Sequence, residues 1–260
     1  MNIYRLPVLH DNYIFILHDP QQNIVAVVDP AIPQPVIAQL EALNAKLVAI
    51  LITHHHSDHV GGITGLIKKF PHAVVYGGAK DRDRIPHQQV FLKGGDRVHF
   101  GDRTAEVFFV PGHTAAHMAY YFPPNAHDQQ GELFCGDTIF GGGCGRLFEG
   151  TPAEMRASID QLRQLPEDTR LWCAHEYTLD NLKFAIAIDP DNEALQKRLT
   201  TTIAMRQKGE PTIPTTIGLE KQTNPFLRWD DPVIQQAAGI DIPDRTFARI
   251  RGKKDNFVTY

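Results

Sequence analysis

The sequence contains no Gly-x-Ser-x-Gly elbow, so it offers no seat for the serine nucleophile of an α/β-hydrolase. Cysteine is scarce. Cys135, Cys144 and Cys173 are an odd set, and two of them lie inside apolar runs. That pattern excludes a disulfide framework and reads as small buried hydrophobes in a reducing compartment. No apolar run approaches the roughly 18 residues of a membrane span. Met1 to Pro7 lacks the basic, apolar and small-residue sections of a secretory leader. A formal net charge of −4 provides no field that draws nucleic acid. The expectation is a cytoplasmic protein with neither a membrane nor a nucleic-acid partner, and nothing argues against a monomer. There is no fixed-period repeat and no low-complexity tract. With 42% hydrophobic and 22% charged residues, the 260-residue chain is ordered, as one large domain or one domain plus a smaller one.

Histidine and aspartate stand out against this background. Leu47 to Ile52 is an apolar run of buried-strand length, and it leads into Thr53-His54-His55-His56-Ser57-Asp58-His59. A turn and a helix from Val60 to Phe70 follow. A strand end, a donor-rich loop and a helix start form a rigid mount for metal ligands. Three further apolar runs end the same way. Val107 to Val110 leads into Pro111-Gly112-His113-Thr114, Leu133 to Cys135 into Gly136-Asp137-Thr138, and Leu171 to Ala174 into His175-Glu176-Tyr177. Strand ends along one sheet edge are where open α/β architectures place their sites. Imidazole and carboxylate donors suit zinc, iron or manganese, and Thr53 to His59 holds no cysteine, which a thiolate structural site would require.

The chain divides by character. Residues 1–175 alternate strands and helices, which favours an α/β sandwich with helices outside. Residues 176–260 read as helical, with helices over Thr178–Ile188, Asn192–Gln207, Pro232–Ala238 and Asp244–Lys254, and a Pro- and Thr-rich loop from Pro211 to Pro225. The second of these helices places Leu195, Leu199 and Ile203 on one face. This C-terminal region is too small for a generous core of its own and is expected to pack on the first domain.

Together the four loops offer His54, His56, Asp58, His59, His113, Asp137 and His175. Seven donors are too many for one tetrahedral ion and suit two, with one carboxylate bridging. A metal pair lowers the pKa of a shared water and polarises an acyl oxygen, so no side-chain nucleophile is needed. Alternate side chains of a loop point opposite ways, so His55 is left as a supporting or exposed residue. His117 is read as a structural hydrogen bonder. Asp29, at the end of the run Ile24–Val28, is read as a structural hydrogen-bonding turn residue. No function attaches to His10, His18, His72, His87, His99 or His127.

Thr53 to Gly62 resembles the His-x-His-x-Asp-His signature of the metallo-β-lactamase superfamily, and the three later loops follow in that superfamily's order. Gly141 to Thr151, His175 to Thr178, Asn224 to Arg228 and Arg251 to Phe257 are similar to the glyoxalase II (hydroxyacylglutathione hydrolase) group. The resemblance spans the whole chain. It implies a four-layer αββα sandwich followed by a helical domain. His54, His56 and His113 would hold one divalent metal, Asp58, His59 and His175 a second, and Asp137 would bridge them. Zinc is the first expectation, with iron or manganese as alternatives.

The resemblance also implies that a metal-held hydroxide, with Asp58 and Asp137 as its catalytic carboxylates, cleaves S-2-hydroxyacylglutathione. S-lactoylglutathione would yield glutathione and lactate, in methylglyoxal detoxification. Arg146, Phe148, Tyr177, Arg251 and Lys254 fall where the family contacts glutathione. Familiar eukaryotic members carry Lys and Tyr at the positions of Arg146 and Phe148, so the charge is kept and a hydroxyl is lost. Arg245, Arg249, Arg251, Lys253 and Lys254 form a C-terminal cluster with no acid between them, from which Arg251 and Lys254 fit a substrate with two carboxylates, while Arg245 reads as part of a solvated helix face. Two rivals stay open: a persulfide dioxygenase of the same fold with a single iron, and a metal-stabilised binding module.

Overall fold

The computed structural model describes residues 1–126 and 128–258; His127 lies outside the described residues. The chain forms two compact units, Met1–Phe109 with Ala116–Gly136, and Val110–Ala115 with Asp137–Tyr260. Among the described residues no helix is long and apolar enough to cross a membrane.

The first unit runs β1 (Asn2–Val8), β2 (Asn12–Asp19), β3 (Ile24–Val28), α1 (Pro33–Leu43), β4 (Lys46–Leu51), α2 (Ser57–Val60), α3 (Ile63–Lys69), β5 (Val74–Gly78) and β6 (Val90–Leu92). It continues with β7 (Arg97–Phe100), β8 (Arg103–Phe109), β9 (Met118–Phe122) and β10 (Glu132–Gly136). Strands β1 to β6 form one mixed sheet in chain order, antiparallel from β1 to β3 and parallel from β3 to β6. Parallel neighbours need crossovers, which α1 and α3 supply. Strands β7 to β10 form an antiparallel meander.

Every residue of β2 is buried, so both faces of the mixed sheet are covered. On one face Ile14, Ile16, Val25, Val27 and Ile50 pack with Val36 and Leu40 of α1 and Ile63 and Leu66 of α3. Toward the meander, Phe15 meets Phe134 of β10 with ring centroids 5.5 Å apart, and the Tyr120 hydroxyl donates to the Ile52 carbonyl oxygen at 2.8 Å. The unit therefore stacks helices, mixed sheet and meander. Parallel β3 and β4 end side by side, and Asp29 and the His54–His59 loop leave from those ends.

The second unit contains β11 (Ile139–Phe140), β12 (Gly143–Cys144), α4 (Pro152–Arg163), β13 (Arg170–Cys173), α5 (Thr178–Ile188), α6 (Glu193–Gln207), β14 (Thr215–Thr216), α7 (Ile217–Thr223), α8 (Pro232–Ala238) and α9 (Pro243–Asp255). A full capping box between Thr151 and Glu154 starts α4, which packs against α9. Phe226, Trp229 and Phe247 form an aromatic cluster beside α9.

Two sequence expectations need correction in this unit. The stretch from Pro211 to Pro225 is not only loop: it holds β14 and α7, because the Thr216 side chain caps α7 by accepting from the Leu219 amide at 3.2 Å. Nor is Ile203 part of the buried face of α6, where it is 39% exposed. The helix instead buries Arg198 and Thr202, since Arg198 donates to Glu220 at 2.5 Å and to Thr223 at 2.6 Å. A fully paired charge replaces the third apolar position.

Candidate active site

The first unit presents its donors on the loop after β4 and on the short helix α2 that follows it. Nε2 of His54 and Nδ1 of His56 are 3.0 Å apart, and Nε2 of His59 lies 3.5 Å from Oδ2 of Asp58. The rings of His54 and His59 are 4.0 Å apart. His54, His59 and Asp58 are each oriented from behind. Asp29 accepts from the Thr53 amide at 2.8 Å and the Thr53 hydroxyl at 2.7 Å, and it takes Nδ1 of His59 at 3.0 Å. A carboxylate on Nδ1 fixes the tautomer and turns the Nε2 lone pair toward the Asp58 side of the ring. Thr53 Oγ1 also meets Nδ1 of His54 at 3.1 Å, and Asn12 donates to Asp58 Oδ2 at 2.9 Å.

His55 is turned elsewhere: its Nδ1 lies 3.0 Å from the fully buried carboxylate of Asp81, and its Nε2 meets the Arg84 guanidinium. His117 is buried and stacks on His54 with centroids 4.6 Å apart. Gly136 has φ +49°, and a Cβ there would strike Thr53 and His117, so only glycine lets the chain turn at the end of β10.

The second unit gathers the other three. Asp137 faces Nε2 of His113 with Oδ2 at 3.3 Å and Nε2 of His175 with Oδ1 at 3.4 Å. Nδ1 of His113 meets the Arg146 carbonyl oxygen at 2.8 Å, which again points Nε2 at the carboxylate. Ligands on a tetrahedral ion at about 2.0–2.2 Å are themselves about 3.4 Å apart. The four donor separations, 3.0, 3.3, 3.4 and 3.5 Å, match that spacing, and the two oxygens of Asp137 serve two different histidines, as a bridge would. The donors present therefore fit divalent metal.

Beside His113 and His175 lie the residues singled out for substrate. Phe148 is 61% exposed, with its ring 5.3 Å from His113. Tyr177 stacks on His175 with centroids 4.8 Å apart and rings within 7° of parallel. Arg146 is exposed and reaches Asp255 Oδ1 at 3.7 Å. Arg251 is buried; it donates to the Cys144 carbonyl oxygen at 3.0 Å and to Asp255 at 2.8 Å. Lys254 donates to the Asp180 carbonyl oxygen at 3.1 Å, and its ammonium is brought down to about 8, chiefly by burial and then by Arg251. Arg245 is exposed and Arg249 is spent on the carbonyls of Ala238 and Gly239.

The glycine loop between Asp137 and Arg146 is held by α5 and α7. Asn181 donates to the Gly141 carbonyl at 3.1 Å, Asn224 to that of Gly143 at 2.9 Å, and Glu220 accepts from the Gly142 amide at 2.8 Å. Sequence reasoning missed the site roles of Asn12, Thr53 and Asp255. Asp255 carried a signal, since it directly follows the basic cluster.

A family model described as the metallo-beta-lactamase superfamily matches residues 8–175, and one described as hydroxyacylglutathione hydrolase C-terminus matches residues 176–257. Over 257 residues, 99% of this chain and 100% of the relative, the sequence is 62% identical to Hydroxyacylglutathione hydrolase of Gloeothece citriformis. It is 63% identical, with the same coverage, to the protein of that name from Trichodesmium erythraeum. The chain belongs to the hydroxyacylglutathione hydrolase family.

The αββα fold of the metallo-β-lactamase superfamily, with a helical C-terminal region, is shared with more distant structures. ETHE1 from Myxococcus xanthus aligns over 98% of this chain and 91% of its own, with a TM-score of 0.66 at 21% identity. TTHA1623, solved in a di-iron-bound form, aligns over 87% of this chain and 100% of its own, with a TM-score of 0.59 at 25% identity. The superfamily fold and its His/Asp donors give this hydroxyacylglutathione hydrolase family member a divalent metal site.

Proposed function

We propose that this chain hydrolyses S-2-hydroxyacylglutathione thioesters, S-lactoylglutathione among them, to glutathione and a 2-hydroxy acid. Acting on S-lactoylglutathione, it would serve methylglyoxal detoxification. The observation that carries this reading is the whole-chain identity of about 62% with hydroxyacylglutathione hydrolases, through both the metal-donor region and the helical C-terminal region. His54, His56 and His113 would hold one ion and Asp58, His59 and His175 a second, with Asp137 shared between the two sets. Zinc is the expected metal, and iron or manganese satisfy the same donors. Bound there, a divalent pair supplies water activation near neutral pH and Lewis acidity toward the acyl oxygen.

The chain's own groups do the rest. Asp29, Thr53 and the Arg146 carbonyl keep His59, His54 and His113 in the tautomer that presents a lone pair to metal. Arg146, Arg251 and Lys254 take the substrate carboxylates through charge-assisted hydrogen bonds. Phe148 offers ring packing without a hydroxyl, and Tyr177 adds an aromatic wall with one. The helical region, residues 176–260, acts as the substrate-binding domain, and the protein works as a cytoplasmic monomer on a small-molecule thioester.

The test measures metal content per chain together with loss of the thioester absorbance of S-lactoylglutathione. Two metal equivalents and thioester turnover are expected. One iron per chain, with oxygen consumed on glutathione persulfide and no thioester turnover, would identify a persulfide dioxygenase instead.

A further inference from the structure

Asp255 is the last residue of α9 and the one carboxylate within ion-pair distance of both Arg146 and Arg251 among the described residues. A single oxygen, Oδ1, lies 2.8 Å from Arg251 Nη2 and 3.7 Å from Arg146 Nε. Helix energetics do not explain its place. An acid at a helix C-terminus faces the negative end of the macrodipole, and a base four residues before an acid is the weaker order for such a pair. Asp180, the acid beside Lys254, has its carboxylate 3.4 Å from Lys183. Arg251 is nearly closed off, with 7% of its side chain exposed, whereas Asp255 is 38% exposed and free to swing into water.

We infer that Asp255 is an internal stand-in for a substrate carboxylate: it holds Arg146 and Arg251 in register while the site is empty and must yield them to the incoming glutathione carboxylate. This rests on the proposed reading of those arginines as substrate contacts. The displacement weakens binding, but it also sets selectivity, because a ligand without a carboxylate gains nothing by displacing Asp255. The same carboxylate keeps neighbouring cations from repelling one another in the free protein.

The experiment compares the metal-loaded wild type with Asp255→Asn and Arg146→Ala, using S-lactoylglutathione, the uncharged thioester S-lactoyl-N-acetylcysteamine, and glutathione binding by calorimetry. Asn keeps the size and is well tolerated at a helix end. Asp255→Asn should lower KM for S-lactoylglutathione and tighten glutathione binding about two- to fivefold, the range of a partly exposed ion pair. Its kcat and its KM for the uncharged thioester should stay near wild type. A KM that rises or stays unchanged in Asp255→Asn, while Arg146→Ala raises it, overturns the stand-in and leaves the arginine reading intact. If Arg146→Ala also leaves KM and glutathione affinity unchanged, the arginine reading itself falls, and the stand-in with it.

Discussion

Oδ2 of Asp29 lies 3.0 Å from Nδ1 of His59, and both side chains are buried. The same carboxylate holds the amide and hydroxyl of Thr53, so one acid at the end of β3 fixes both ends of the donor loop. Replacing it by Ala frees the His59 ring to rotate and exchange tautomers. Asp29→Ala should weaken metal affinity about 10- to 100-fold, measured by competition with a chromophoric chelator, with the folded circular dichroism spectrum retained.

Asp137 faces His113 and His175 with different oxygens. In the proposed two-metal site its removal would leave two cations without a shared anion. Asp137→Ala should lose at least one metal equivalent and most thioester turnover, by metal analysis and steady-state rate. A variant with two metals and near-normal turnover would refute the bridge.

His55 points at Asp81 and Arg84, not at His54 Nε2. His55→Ala should therefore keep its metal and most of its rate, whereas His54→Ala and His56→Ala should lose metal. Atomic absorption on the three purified variants decides this, and greater damage from His55→Ala would show that the loop register is misread.

Lys254 has an ammonium brought down to about 8 by burial and by Arg251, against the opposing pull of Asp180, Cys144 and Asp255. A lowered lysine loses its charge as pH rises through that value, so as the proposed substrate contact it would hold a carboxylate fully only below it. kcat/KM for S-lactoylglutathione, which reports the free enzyme, should fall as pH passes about 8. Lys254→Arg should move the fall to higher pH, and Lys254→Ala should abolish it.

Glu220 is fully buried and accepts from Arg198, Thr215, the Gly142 amide and Asn224. Glu220→Ala strands the Arg198 charge and should cost roughly 3–5 kcal/mol, seen as a lower midpoint in urea. Because Gly142 belongs to the loop leading to Arg146, KM should rise as well.

The donor loops were legible because each follows an apolar strand within a few residues, so the signal is local. The first-unit sandwich was legible from the same runs. What escaped depends on partners far along the chain. Asn12 reaches Asp58 and Asp29 reaches His59, pairs separated by 46 and 30 positions. Helix α6 reads as an apolar face through Ile203 only while Glu220, the partner that lets Arg198 go inside, is out of sight. The Thr-rich stretch before Pro225 looks like loop by composition, yet a threonine that caps a helix contributes the same letter as one that does not.

Cys144, whose carbonyl oxygen receives Arg251, has a further consequence for a site that releases a thiol. Burial pushes its own thiol up to about 11, against the pull of Arg251, so it stays protonated at neutral pH. Thiol–disulfide exchange proceeds through the thiolate and needs access to it. The cysteine that touches Arg251, a proposed glutathione contact, should therefore be inert toward oxidised glutathione, and a rising oxidant load should leave it a free thiol.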